Sequence, residues 1–207
     1  MEPIRRYSPV SFEKKVIQTE QRGDWEIVLK YEDEGNGPYL VDLSHIAKWD
    51  IQDERVARIQ PMGITIPEAP GAGIYEKGVL ISRMNQTQAV ACHLAAYDSV
   101  LPDDSSYTDI TEAFAFLALI GEHVFSIMEK ITALDLLPPQ TAPPYFVQGP
   151  ILHVPCRIDV LADDTLLIAF SRGYGASMVE AILEAGSEWY LKPAGELVFK
   201  NYIEKFA

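Results

Sequence analysis

The 207-residue chain has little cysteine, few basic residues and no long apolar run, and each shortage excludes something. Its two cysteines, Cys92 and Cys156, stand apart in the apolar contexts AVACHL and HVPCRI. That spacing fits no disulfide framework or thiolate motif, so buried free thiols in a reducing compartment are expected. Lys and Arg number 17 against 30 Asp and Glu, a formal charge of −13. Broad binding to nucleic acid or an anionic membrane needs a basic surface and is not expected. No apolar stretch approaches bilayer-spanning length, and MEPIRRYSPV lacks the apolar region of a secretory signal, so a cytoplasmic location is expected. None of the four histidines has metal-ligand spacing with another His, Cys or carboxylate, and no metal is expected.

What is present is organised around residues 108–132, TDITEAFAFLALIGEHVFSIMEKIT. Residues 113–120 form an apolar run of one buried strand's length. Gly121 then interrupts it, and Val124, Ile127, Met128, Ile131 and Leu134 recur at helical spacing. Glu122 falls in the first helical turn and His123 on the polar side. One long helix over 111–132 is the alternative. Residues 1–24 read as a polar wrap rather than core, and 25–31 (WEIVLKY) as a strand. Residues 39–52 are β-rich, and 53–60 fit one short helix ended by Pro61. The runs 78–84 and 89–94 form a hairpin about NQTQ; 151–161 and 165–171 form another about ADD, where Asp163-Asp164 reads as a turn. GAG at 71–73 lies in a loop without the setting of a dinucleotide fingerprint. Residues 97–107 mark an internal boundary, and 138–144 (PPQTAPP) a stiff connector. Ser177 and Glu180 spell a capping box for a helix ended by Gly186. A last helix covers 197–206, with Val198, Tyr202, Ile203 and Phe206 inward and Phe199 off that face. The expectation is α+β: two similar halves, about 38–100 and 105–207, with mixed or antiparallel sheets after an N-terminal wrap at 1–37.

Four segments in this order, DLSHIAKWDI, GVLISRM, AFLALIGEHVFSIMEKIT and LKPAG, resemble the folate-binding domain of the glycine-cleavage T-protein, the aminomethyltransferase family. The resemblance covers roughly residues 38–195. That family continues into a C-terminal barrel, which is not expected here, and in size the chain resembles the gamma subunit of heterotetrameric sarcosine oxidase. The resemblance implies a tetrahydrofolate site with an aspartate in a G-G-x-x-D/N-D segment. Anchored on Ser82-Arg83-Met84, the acidic pair falls on Lys77 and Gly78; anchored on Gly78-Val79-Leu80, it falls on Ile81 and Ser82. Neither supplies an aspartate. The family's R-x-G-Y-T-G-E segment corresponds to Arg172-Gly173-Tyr174-Gly175-Ala176-Ser177, without the threonine or the glutamate that would grip the pterin's amidine face.

No catalytic residue is therefore expected, and a residual pterin pocket is expected from Tyr75, Arg83, Arg172 and Tyr174. The implied function is a non-catalytic subunit or binding module in one-carbon or amine metabolism. The alternative is an active tetrahydrofolate-dependent transferase using a displaced carboxylate such as Asp42, Glu76 or Asp98. His45 reads as a hydrogen-bonded structural residue, and His93 and His153 as core or interface. Tyr31, Tyr39, Trp49 and Tyr75 suit either core packing or a planar ligand. A homodimer or hetero-complex is expected, through Phe199 on the last helix or the edge near Trp189 and Tyr190.

Overall fold

The computed structural model describes residues 5–95 and 100–206. At its centre is strand β9 (Phe114–Ile120), in which six of seven residues are buried. Such a strand is apolar at every position because both of its faces are covered. Ala115, Leu117 and Leu119 point into one core, and Phe116, Ala118 and Ile120 into another. A single helix over 111–132 is thereby excluded.

Around β9 lies a six-stranded mixed sheet in the order β10 (Tyr145–Ile151), β11 (Val154–Ala162), β12 (Thr165–Ser171), β9, β3 (Tyr39–Asp42), β13 (Lys192–Ala194). Only the β13–β3 pair is parallel. A five-stranded antiparallel sheet packs on it, in the order β5 (Gly73–Glu76), β6 (Val79–Arg83), β7 (Gln88–Cys92), β4 (Lys48–Gln52), β8 (Tyr107–Asp109). Helices α1 (Val124–Glu129) and α2 (Gly175–Ala185) cover the outer face of the first sheet. The outer face of the second is sealed by Val56, Ile64 and Ile66 from the segment after β4. The chain crosses the internal boundary at two places: β3 belongs to the six-stranded sheet and β8 to the five-stranded one. The sheets touch where Ala72, within the Gly-Ala-Gly stretch, bridges to Tyr145. A Cβ at Gly73 would lie 3.1 Å from the Pro144 carbonyl oxygen, so glycine permits that close approach.

Several expectations are corrected. The N-terminal stretch is not only a wrap: Val10 and Phe12 are buried in the core, and β1 (Val16–Arg22) pairs with β2 (Trp25–Tyr31). Residues 53–60 hold one 3-10 turn, Val56–Arg58, rather than a helix. Helix α1 has six residues and begins after Glu122, so Glu122 is outside its first turn; Ile131 is half-buried beyond its end. The Ser177–Glu180 capping box does not form. A 3-10 turn at Arg172–Tyr174 starts the helix three residues earlier, and Ser177 Oγ instead donates to the Tyr174 carbonyl. His153 is exposed at the β10–β11 turn.

The largest correction concerns the last helix, α3 (Glu196–Ile203). Phe199 is fully buried among residues of both sheets, while Leu197 packs on Trp25, Ile27 and Leu29 of β2. The hairpin covers one side of α3 and the sheets the other, which is why its apolar stripe is so wide. Phe199 is therefore no partner contact, and the side chain of Phe206 lies outside the described residues.

A buried ion cluster locks this junction. The Glu196 side chain is fully buried at the start of α3. Arg22 Nη1 and Nη2 donate to its two oxygens at 2.9 and 2.5 Å, His45 Nε2 lies 2.8 Å from Oε1, and Lys200 Nζ lies 3.1 Å from Oε2. Burial works to raise the Glu196 pKa, but hydrogen bonds from Arg22 and His45 outweigh it and hold the carboxyl well below the usual range. His45 thus has the structural role its sequence suggested. A carboxyl with a depressed folded pKa confers stability that is complete above its unfolded pKa, about 4.3, and declines as pH falls below it. Glu196→Gln is expected to cost roughly 1.5–3 kcal/mol at pH 7, because it weakens the charge-assisted hydrogen bonds that Arg22 and His45 make to the buried carboxylate. The same change should cost less at pH 3. Urea unfolding of both proteins at the two pH values checks it, and an equal loss at both would remove the carboxylate from the account.

Candidate functional site

Between the sheets lies a cavity of about 620 Å³, within the usual range for a small-molecule site. Strand β4 contributes Lys48 and Asp50, the β6–β7 hairpin Met84, Asn85, Gln88 and Val90, and β11 Cys156 and Arg157. Ile110, Phe114 and Ala169 complete an apolar wall.

The polar side of this cavity is a buried cluster. Arg157 Nε donates to Asp159 Oδ2 at 2.8 Å, and its Nη2 reaches Cys92 Sγ at 3.1 Å. Ser82 Oγ donates to Asp159 Oδ1 at 2.6 Å. Burial works to lower the Arg157 pKa; Asp159 and Cys92 outweigh it, so the guanidinium stays charged. Lys48 is 1% exposed, and its Nζ donates to the carbonyls of Ser44 and Ile46 at 2.9 and 2.7 Å. Desolvation pushes its pKa down to about 8. Burial raises the pKa of the Cys92 thiol, which argues against a nucleophilic role at neutral pH. Arg157 and Asp159 went unnoticed in the sequence, although a signal was there. Two opposite charges two residues apart on an otherwise apolar strand share a face by the period of two.

The four residues of the expected pterin pocket do not line this cavity. Tyr75 is half-buried and packs against the core between the sheets. Arg83 is buried, with Nε and Nη2 donating to the carbonyls of Asn85 and Gln86 at 2.5 and 2.6 Å. Arg172 is exposed and donates to the carbonyls of Glu112 and Tyr7, at 3.1 and 3.2 Å. Tyr174 is exposed beside it. Of the displaced carboxylates, Asp42 accepts from Ser8 Oγ at 2.5 Å and from Ser44 Oγ at 2.6 Å. Glu76 is exposed beside Lys77 at the β5–β6 turn, and Asp98 lies outside the described residues. Tyr31 and Trp49 are core residues, and Tyr39 and Tyr75 are half-buried. Among the described residues no three of His, Cys, Asp and Glu are grouped to hold a metal. No helix there is long and apolar enough to cross a membrane.

His123 is exposed but not merely solvated: it stacks on Trp189 with ring centroids 5.5 Å apart. His93 is 1% exposed, lies 4.1 Å from the Trp49 ring centroid, and has no hydrogen-bond partner for either nitrogen among the described residues. Desolvation lowers its pKa to about 4. A histidine that must stay neutral when folded binds more protons when unfolded, so stability falls as pH drops below about 6.5 and continues to fall towards pH 4. Between pH 7 and pH 5 this should cost about 2 kcal/mol. The loss should be absent in His93→Leu, and parallel unfolding curves of both proteins at the two pH values measure it.

No protein-family model matches the sequence, and no curated protein sequence does. Solved structures match the fold. A chain of heterotetrameric sarcosine oxidase from Corynebacterium sp. U-96, in complex with pyrrole 2-carboxylate, gives a TM-score of 0.59 at 13% identity, over 72% of this chain and 83% of that one. Glycine cleavage system aminomethyltransferase T from Bartonella henselae gives 0.61 at 11% identity, over 89% of this chain and 57% of that one. The chain thus spans little more than half of that aminomethyltransferase. As the sequence segments implied, the chain has the α+β fold shared by aminomethyltransferase T and a heterotetrameric sarcosine oxidase chain.

Proposed function

We propose that the chain is a non-catalytic subunit or binding module of a cytoplasmic amine-oxidising or one-carbon-transferring complex. The observation that carries the reading is the use made of the Arg172–Gly175 segment, where the resemblance would put pterin recognition. Residues 7–9 of the chain's own N-terminal segment pack onto it. Arg172 holds the Tyr7 carbonyl, and a Cβ at Gly175 would lie 2.0 Å from the Pro9 carbonyl oxygen. Arg6 adds an ion pair with Glu112 at 2.7 Å, on the same residue that Arg172 contacts. Glycine at 175 and arginine at 172 thus serve internal packing, and Ala176 and Ser177 stand directly after them where the resemblance would put a carboxylate.

Tetrahydrofolate affinity is on this reading residual, held by what Tyr75, Arg83, Arg172 and Tyr174 still offer. The heterotetrameric assembly named for one structural neighbour supports a hetero-complex here, with a homodimer as the other form. With Phe199 buried, the surface best suited to a partner is the edge at Trp189 and Tyr190, where Tyr190 is 77% exposed.

Titration of folinic acid into the purified chain is expected to give binding no tighter than roughly millimolar, about −4 kcal/mol. Light scattering and co-purification from the native cell extract should find a dimer or a larger complex, weakened by Tyr190→Asp. Micromolar folinic acid binding that Arg172→Ala abolishes would overturn the non-catalytic reading. A monomer with no co-purifying chain would remove the subunit reading.

A further inference from the structure

The cavity between the sheets holds a cation that the protein itself does not fully satisfy. Arg157 is 8% exposed and lines the cavity. Its Nε and Nη2 are engaged by Asp159 and Cys92, whereas Nη1 donates to no atom of the described residues. Among the described residues the sealed side-chain polar atoms without partners are Arg83 Nη1 and the two ring nitrogens of His93, and Arg157 Nη1 is not among them. That nitrogen is therefore not sealed off, and its residue lines the cavity.

The local charge count agrees. Lys48 and Arg157 are two buried cations, and Asp159 is the buried carboxylate beside them, with its second oxygen already taken by Ser82. The other carboxylates acting on Lys48, Asp42 and Asp109, are half-buried and exposed, so Asp159 is the one fully buried carboxylate among these groups. Asp50 also lines the cavity, but it is only half-buried, and the amides of Gln52 and Gln88 donate to its two oxygens at 2.5 and 2.7 Å. A buried guanidinium fixed in orientation by a carboxylate is pre-organised to bind another oxyanion. The rest of the wall is apolar: Met84, Val90, Ile110, Phe114 and Ala169.

We propose that this cavity binds an organic monocarboxylate, its carboxylate on Arg157 and its apolar body among Val90, Ile110 and Phe114. The site is separate from the Arg172–Gly175 segment and does not depend on whether a pterin binds. Its volume suits a one- or two-ring acid rather than an inorganic anion.

The test is calorimetric titration of the full chain with 2-naphthoate and with 2-naphthamide, its uncharged isostere. The carboxylate is expected to bind at least about tenfold more tightly, as one charge-assisted contact requires. The double variant Arg157→Gln/Asp159→Asn removes both charges together, so neither partner is left unpaired. Shown to be folded by circular dichroism, it should bind both compounds alike. Ile110→Trp, at a half-buried wall position, should weaken both by filling the space. Equal affinity of acid and amide for the unmodified chain overturns the proposal, as does no binding of either at roughly 10 mM, the weak limit for a specific site. An undiminished preference in the folded double variant also overturns it. Should that variant not fold, the acid–amide comparison on the unmodified chain and Ile110→Trp still decides.

Discussion

Burial of β9 on both faces is the constraint from which the architecture follows. A strand covered on one side needs only alternate apolar residues; Ala115–Ile120 is apolar without a break and needs two covers. The helices supply one and the five-stranded sheet supplies the other. Burying Phe116 and Leu117 on opposite faces contributes about 2 kcal/mol or more each, so neither cover can leave without exposing one side of the central strand. The register with β12 and β3 runs unbroken along β9, because a slip of one residue would exchange its two faces.

Two buried ion clusters sit at the margins of this apolar centre, and they differ in a way that separates structure from site. Glu196 is surrounded by Arg22, His45 and Lys200, and both of its oxygens are used. Its partners come from the hairpin, the turn after β3 and the helix itself, so it fixes three elements relative to one another. The Arg157–Asp159 pair also joins its strand to β6 and β7, through Ser82 and Cys92, but it leaves Arg157 Nη1 without a partner among the described residues. Desolvating such a pair gains little stability in itself. A fully used cluster reads as a joint, and a buried cluster with an unpartnered donor beside a cavity reads as a place for something else.

Much of the fold was legible because it rests on local pattern. The hairpins about residues 84–87 and 163–164 have short turns between strand-like runs, and both form. The strand-then-helix unit around Gly121 forms too, although the helix stops after six residues. What could not be read depends on distant partners. Phe199 looked surplus because nothing local announces that β2 and the sheets enclose α3 from two sides. Glu196 lies 174 residues from Arg22 and 151 from His45, and no spacing rule reaches that far. The capping box failed for a nearer reason: its serine is already inside a helix that the preceding 3-10 turn began.

The candidate site was less legible than the fold, since a fold is held by many interchangeable apolar residues and a site by a few specific ones. Arg172, Gly173, Tyr174 and Gly175 keep the lettering of a pterin-binding segment, yet Arg172 and Gly175 seat the N-terminal segment at residues 7–9. Once a backbone carbonyl occupies the space beside a glycine, that glycine is required for packing and persists whatever becomes of the ligand. Residue identity at 172–175 therefore cannot separate a binding site from a packing contact. The separating feature is a polar atom left without a partner beside a cavity. That criterion is what sets the proposed carboxylate site at Arg157 apart from the Arg172–Gly175 segment.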